Sequence, residues 1–379
     1  MELANRGPTI YRAEVVGSML RPPELVAARA EMRAGELAMD RYRAVEDRAV
    51  DEALRIQEEA GVDVATDGEM RRDIFFDFFV SGMTGLEMVG GQTVRFHGRD
   101  EAAEMEVEVP FSVTGKVNAR TCPGVAELQY AQPRSRLPVK VTVPSPMLLA
   151  LGFWNERSRA AYPDPLELAH DGVTAVRGWI AELIEAGCKY VQIDAPDLAE
   201  AYADAGVRDI FERDSGIPAE QFLPAAAELI AGLGDIERPD DVTLGLHVCK
   251  GNGTQSWLAE GGYNALARAV FPRVGGFDVV HMEYDDDRSG GFEPLRELPD
   301  HVTAALGLVS TKWTELEDAD ALRRRIEDAA RFHPLERLAI GPQCGFASAS
   351  ETAVQRKVTA QTQIDKLRLV AEVARSVWG

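Results

Sequence analysis

Cysteine, basic charge and long apolar runs are all scarce in this chain, and each shortage excludes something. Four cysteines (122, 188, 249 and 344) in 379 residues are too few and too scattered for a disulfide framework. A reducing, cytoplasmic setting is therefore expected. Lys and Arg number 41 against 62 Asp and Glu, a formal net charge of -21. That charge is spread through helix-like segments such as Glu46–Glu59 and Glu315–Glu327, which marks a solvated acidic surface and makes nucleic acid and anionic membrane poor partners. No stretch reaches the roughly 18 apolar residues of a membrane span, and the start, Met-Glu-Leu-Ala-Asn-Arg-Gly-Pro, lacks the basic and then apolar region of a secretory signal. Internal repeats, low-complexity segments and recognisable linkers are also missing.

What is present is a recurrence of short buried strands separated by helices. Strand-like runs occupy Glu14–Ser18, Val62–Glu69, Lys140–Pro146, Tyr190–Asp194, Val242–Cys249, Phe277–Tyr284, Ala304–Ser310 and Arg337–Gly345. Helical spacing fills Leu25–Met32, Ala44–Ala60, Pro163–Ala186, Ala219–Leu233, Tyr263–Phe271 and Val358–Trp378. Eight strands alternating with helices is the count of an α/β (β/α)8 TIM barrel, and right-handed crossovers make closure its simplest solution. A doubly wound open sheet competes, but no Gly-rich phosphate fingerprint follows the first strand. The stretch of about 85–135 changes to alternation, as in Thr93-Val-Arg-Phe-His and Met105-Glu-Val-Glu-Val, and reads as a β-rich insertion after the second strand of a single domain, 1–379.

The organising stretch is Leu246-His247-Val248-Cys249-Lys250-Gly251-Asn252. Residues two apart on a strand point the same way, so the imidazole of His247 and the thiol of Cys249 converge. Glu283 and Cys344 end two other buried runs. Together the four offer nitrogen, sulfur and oxygen donors that suit Zn2+ better than Mg2+ or Ca2+. Ser18, Glu69, Ser145 and Asp194 fall at strand ends as well, on the rim where barrel active sites lie. Two thiolates and a carboxylate would leave such a zinc a weak activator of water but a good holder of a substrate thiol, which favours alkyl transfer to sulfur over hydrolysis. Glu69 and Asp194 suit a substrate ammonium. His281 reads as a core histidine, Cys122 and Cys188 as inert, and Asp285-Asp-Asp-Arg288 as either a hard-cation motif or a polar loop.

These motifs carry a resemblance. From Val16-Gly17-Ser18 through Thr66-Asp67-Gly68-Glu69, Gln192-Ile193-Asp194, His247-Val248-Cys249, Glu283-Tyr284-Asp285 and Pro342-Gln343-Cys344-Gly345 to Val377-Trp378-Gly379, the chain resembles the catalytic C-terminal barrel of cobalamin-independent methionine synthase, and more closely its short single-barrel relatives. The resemblance implies zinc on His247, Cys249, Glu283 and Cys344. It implies homocysteine held by Ser18 at its carboxylate and by Glu69 and Asp194, the catalytic carboxylates, at its amino group. The expected activity is zinc-dependent S-methylation of homocysteine to methionine, with a methyl-folate or methyl-corrinoid donor, and a homo-oligomer is compatible with the pattern. Two departures bear on the donor: a chain of 379 residues holds one such barrel rather than two, and the family's histidine at the seventh strand end falls at Val309 or Ser310. A branch similar to epoxyalkane:coenzyme M transferase, in which a zinc-bound thiolate opens an epoxide, is the alternative; there Arg21, Arg71, Arg72 or Lys250 would face a sulfonate.

Overall fold

The computed structural model describes residues 9–91, 93–98, 104–253, 256–348 and 358–379. The start read for a signal (1–8) and residues 92 and 99–103 of the expected insertion lie outside them. Four strands come first in the chain: β1 (Met83–Glu87), β2 (Thr93–Gly98), β3 (Met105–Glu108) and β4 (Ser112–Ala119). They are followed by β5 (Lys140–Pro144), β6 (Tyr190–Asp194), β7 (Thr243–Val248), the short β8 (Asn252–Gly253) and β9 (Ser256–Trp257), then β10 (Val279–Glu283), β11 (Thr303–Val309) and β12 (Leu338–Pro342).

Six of these form one parallel sheet in the order β12-β11-β10-β7-β6-β5. Every residue of the six strands is buried, as expected of near-continuous apolar runs covered on both faces. Val191, Leu246, Val280, Leu306 and Ile340 from five strands belong to one apolar core, each side chain contributing roughly 1.5–3 kcal/mol by burial. The helices between strands start and stop where local chemistry dictates. Pro165–Glu185 opens with the Asp164 carboxylate accepting from the Leu166 N–H (2.8 Å) and buries Leu168, Val176, Trp179 and Leu183 at helical spacing. Met39–Ala60 ends at Gly61, whose φ of 83° fits the left-handed cap that glycine adopts at low cost. Among the described residues no helix is long and apolar enough to cross a membrane.

The two remaining predicted strands form single bridges rather than ladders, Ala13 to Ile340 of β12 and Ala65 to Val139 beside β5. Asp63 N–H donates to Ala13 O (2.9 Å), linking the two segments. The ladder stops there for a chemical reason: the Asp63 carboxylate accepts the N–H groups of Arg12 (2.6 Å) and Ala13 (2.9 Å), where a neighbouring strand would have offered carbonyls.

The β-rich stretch between the second of these segments and β5 is antiparallel, β1 with β4 and β2 with β3. β2 also pairs with β9, His97 opposite Trp257, and β9 pairs with β8. A strand from before β5 is thereby tied to the loop that follows Cys249. The end of the stretch departs from the expected alternation: Pro123–Ala131 is a helix, with Pro123 in the first turn where a missing N–H costs nothing.

Candidate functional site

The carboxyl ends of the parallel strands deliver the chemistry. His247 lies on β7, with Cys249 just past its end, and Cys344 follows two residues after β12. The ligand atoms of these three all lie within 4.8 Å of one another, and the two sulfurs are 3.8 Å apart and share a hydrogen bond. Both thiols are free and buried. That shared hydrogen bond splits them: the Cys344 thiol is drawn well below its ordinary range by Cys249 and His247, whereas Cys249 is pushed up by Cys344 and by burial. Burial works against the His247 imidazolium, but Cys344 and Asp194 outweigh it and raise this histidine. Neither ring nitrogen of His247 has a hydrogen-bond partner among the described residues. A buried group of two sulfurs and an unpartnered imidazole fits a soft or borderline cation such as zinc.

Three of the four predicted ligands thus come together. The fourth, Glu283, sits at the end of the neighbouring β10 with its carboxylate committed elsewhere. Its Oε1 accepts from Lys312 Nζ (3.0 Å) and from an Arg288 guanidinium nitrogen (3.1 Å), and its Oε2 accepts from the Lys250 N–H (3.1 Å). Burial alone would raise Glu283, but Lys312, Lys250 and Arg288 prevail and hold it at about 2. Lys312 also pairs with Asp285 (2.9 Å) and Arg288 with Asp286 (2.8 Å), so the Asp-Asp-Asp-Arg motif is an ion-pair network around Glu283. Lys312 is a participant that the sequence did not single out, and Arg288 was read only as the end of that motif.

Ser18, Glu69 and Asp194 line one cavity of about 240 Å3 together with His247, Cys249 and Cys344. Ser18 is knit to the Cys344 loop: its Oγ accepts the Ala347 N–H (3.2 Å) and its carbonyl the Phe346 N–H (2.8 Å). Glu69 occupies the left-handed region (φ 54°), uncommon for a residue with a side chain. Asp67 braces that turn by accepting the Glu69 N–H (2.8 Å), and Thr142 Oγ1 donates to Glu69 Oε1 (2.8 Å). Glu69 Oε2 has no partner among the described residues. Gly17 leaves this carboxylate its room, since a Cβ there would stand 2.5 Å from Glu69 Oε1. Asp194 Oδ1 accepts from Gln192 Nε2 (2.7 Å), and burial, moderated by His247, pushes its carboxyl up to about 7.

Asp197 and Glu200, on the helix Pro196–Ala203 that follows β6, also line the cavity. Sequence reasoning passed over both, because carboxylates early in a helix ordinarily serve its dipole. The only signal was their spacing of three, which places them on one helical face beside Asp194. Phe75, Phe76, Phe96, Phe153 and Phe211 supply apolar walls, Phe96 coming from β2 of the insertion.

The basic candidates are occupied elsewhere. Arg21 donates to the carbonyls of Glu69 (3.0 Å), Arg72 (3.1 Å) and Ala347. Arg71 meets Asp47 and Glu46, Arg72 grips both oxygens of Glu127 (2.9 and 2.6 Å), and Lys250 donates to Ser289 Oγ (2.7 Å). His281 is a core histidine, 2.8 Å from the Tyr190 hydroxyl. Burial pushes the Cys122 thiol up to about 12 and that of Cys188 up to about 11, which leaves both unreactive.

Comparison with known proteins places this arrangement. A family model described as "Cobalamin-independent synthase, Catalytic domain" matches residues 12–366. The uncharacterized protein YxjH of Bacillus subtilis (strain 168) is 34% identical over 371 residues, covering 97% of this chain and 95% of the relative. The methionine synthase of Saccharolobus solfataricus is 24% identical over 356 residues, 93% of either chain. A solved structure from Listeria monocytogenes, provisionally described as a vitamin-B12 independent methionine synthase, superposes with a TM-score of 0.73 at 26% identity, covering 98% of this chain and 99% of that one. The family match over nearly the whole sequence, on an α/β fold of the same kind, shows that the chain belongs to the cobalamin-independent methionine synthase family, whose enzymes are methyltransferases.

Proposed function

We propose that this protein transfers a methyl group to the sulfur of L-homocysteine, forming methionine, at a zinc held by His247, Cys249 and Cys344 with Glu283 as fourth ligand. One observation carries the reading: a single cavity joins the thiol and imidazole cluster to Ser18, Glu69 and Asp194, whose oxygens suit the two ends of an amino acid. When bound, zinc would favour the thiolate form of an arriving thiol and leave it nucleophilic, because two cysteine sulfurs already offset the metal's charge.

The chain's own groups do the rest. Glu69 Oε2 and the Asp194 carboxylate receive the substrate ammonium, and the Ser18 hydroxyl donates to its carboxylate. Thr142 and Gln192 fix the two acids before substrate arrives, which spares the cost of orienting them at binding. Burial keeps Asp194 near neutrality until the ammonium reaches it, whereupon the cation draws it into the charged form. Glu283 would complete the ligand set of such a metal; until then Lys312 (3.0 Å), with Lys250 and Arg288, holds its carboxylate ionised.

Thiol addition to an epoxide with coenzyme M ranks second. Among the described residues lining the cavity there is no Lys or Arg to meet a sulfonate, and its four carboxyl groups offer one no countercharge. Calorimetric titration of the zinc-loaded protein with L-homocysteine and, separately, with coenzyme M decides between them. Saturable homocysteine binding with between one and two protons released is expected, one from a thiol that becomes a metal ligand and a further fraction from Asp194. Binding of coenzyme M alone would overturn the proposal.

A further inference from the structure

We infer that Asp197 and Glu200, with the phenylalanines that line the same cavity, seat a methyl donor whose methyl-bearing atom is positively charged, a sulfonium or quaternary ammonium compound. The inference rests on the reading of the cavity as a methyl-transfer site and names the class of its second substrate.

Four carboxyl groups line the cavity, Glu69, Asp194, Asp197 and Glu200. The amino group of one amino-acid substrate employs the first two. The other two are left over, and Asp197 is not finished as a structural acid. Asp197 is 4% exposed; its Oδ1 has no partner among the described residues, and its Oδ2 has only a long contact with Ser145 Oγ (3.4 Å). Glu200 is 7% exposed and reaches over the Cys249 loop, where a Cβ on Gly251 would stand 2.7 Å from its Oε1. A buried carboxyl without a partner is costly, and a cation relieves that cost where an anion would aggravate it.

The remaining wall narrows the kind of cation. Phe75, Phe76, Phe96, Phe153 and Phe211 offer aromatic surface, with Leu151 beside them. A primary ammonium would lose its water there and gain few hydrogen bonds. An onium centre carries its charge beneath a skin of methyl groups, needs no hydrogen bonds and is attracted by aromatic faces as well as by carboxylates. Burial pushes Asp197 up to about 8, as expected of an acid whose charge has no countercharge until a ligand supplies one.

The transfer balances without a further reactant. The homocysteine thiolate attacks the methyl carbon and a new sulfur–carbon bond forms. The bond from that carbon to the onium atom breaks, and its electron pair stays on the leaving atom, which departs as a neutral thioether or tertiary amine. No proton has to be delivered to it.

Calorimetry on the zinc-loaded protein, with and without saturating L-homocysteine, would use trimethylsulfonium, tetramethylammonium, and choline beside its uncharged carbon isostere 3,3-dimethyl-1-butanol. Deuterated trimethylsulfonium or tetramethylammonium incubated with homocysteine and read by mass spectrometry shows which onium source transfers its methyl group. The onium ions should bind at least roughly tenfold more tightly than the isostere. The Asp197→Asn, Glu200→Gln double variant should erase that preference while homocysteine affinity holds. Equal binding of choline and isostere to the unaltered protein, or a preference that survives the double substitution, would overturn the inference. Homocysteine binding without any onium preference would sink this inference alone, whereas failure of homocysteine to bind would sink the homocysteine reading.

Discussion

Lys140, Glu14, Tyr190, Gln192 and His281 form one buried polar cluster of the parallel sheet; His247, Cys249, Cys344, Glu69, Asp194 and Asp197 form another. In the first, Lys140 Nζ donates to Gln192 Oε1 (2.8 Å), Glu14 Oε2 (3.2 Å) and Val15 O, while Tyr190 donates to Glu14 Oε1 (2.9 Å). Gln192 Nε2 donates to Val16 O (3.1 Å). In the second, both ring nitrogens of His247, Glu69 Oε2 and Asp197 Oδ1 have no partner among the described residues. Burial is nearly equal in the two, so depth in the fold does not distinguish them. Completion does. A buried network that satisfies its own groups holds the sheet, and one that leaves donors and acceptors open is shaped for a guest. Gln192 touches both, since its second donor reaches Asp194.

Substitutions that treat the two clusters alike should separate them. The largest effect is expected at Lys140→Met, which strands the Glu14 carboxyl in the core: a loss of about 3–5 kcal/mol in urea unfolding, with zinc content unchanged. Cys344→Ser should do the reverse, lowering zinc affinity at least about a hundredfold in a chelator competition while the urea midpoint of the metal-free protein barely moves. Equal destabilisation by the two would erase the distinction drawn here.

Asp194→Asn comes next, with homocysteine binding weakened by about 1.5–3 kcal/mol in calorimetry and zinc retained, because a charged hydrogen bond is lost and no ligand is. The last comparison concerns pH. Burial raises Asp197 to about 8, from an ordinary value near 3.9. Between those values the folded state keeps a proton that the unfolded state gives up. Its contribution to stability is therefore complete below about pH 4 and is lost as pH rises through about 8. Asp197→Asn cannot titrate, so its stability relative to the unaltered protein should grow by on the order of 1 kcal/mol for each pH unit across that window, read by urea unfolding at pH 5 and pH 8. A difference independent of pH would show that Asp197 is already ionised in the fold.

The contrast also explains what the sequence could show. His247 and Cys249 were legible because a period of two is local, and their place at a strand end follows from the apolar run before them. The six strands of the parallel sheet were legible for the same reason. The two bridged segments were not, because the outcome there turns on the Asp63 side chain taking two N–H groups from residues about 50 positions away. Glu283 was found as a strand-end carboxylate, but the cation that claims it, Lys312, is 29 residues distant and only the fold brings it close. The alternation of Thr93–Gly98 revealed a half-exposed strand, and alternation assigns faces rather than partners; its pairing with Ser256–Trp257 beside the Cys249 loop needed the structure.

Zinc-edge X-ray absorption, recorded with and without L-homocysteine, tests the central claim most directly. Two sulfur neighbours of zinc, Cys249 and Cys344, rising to three when homocysteine is added, is the result the account predicts. A zinc shell whose sulfur count stays at two under saturating homocysteine, or a protein that retains no zinc, would contradict it.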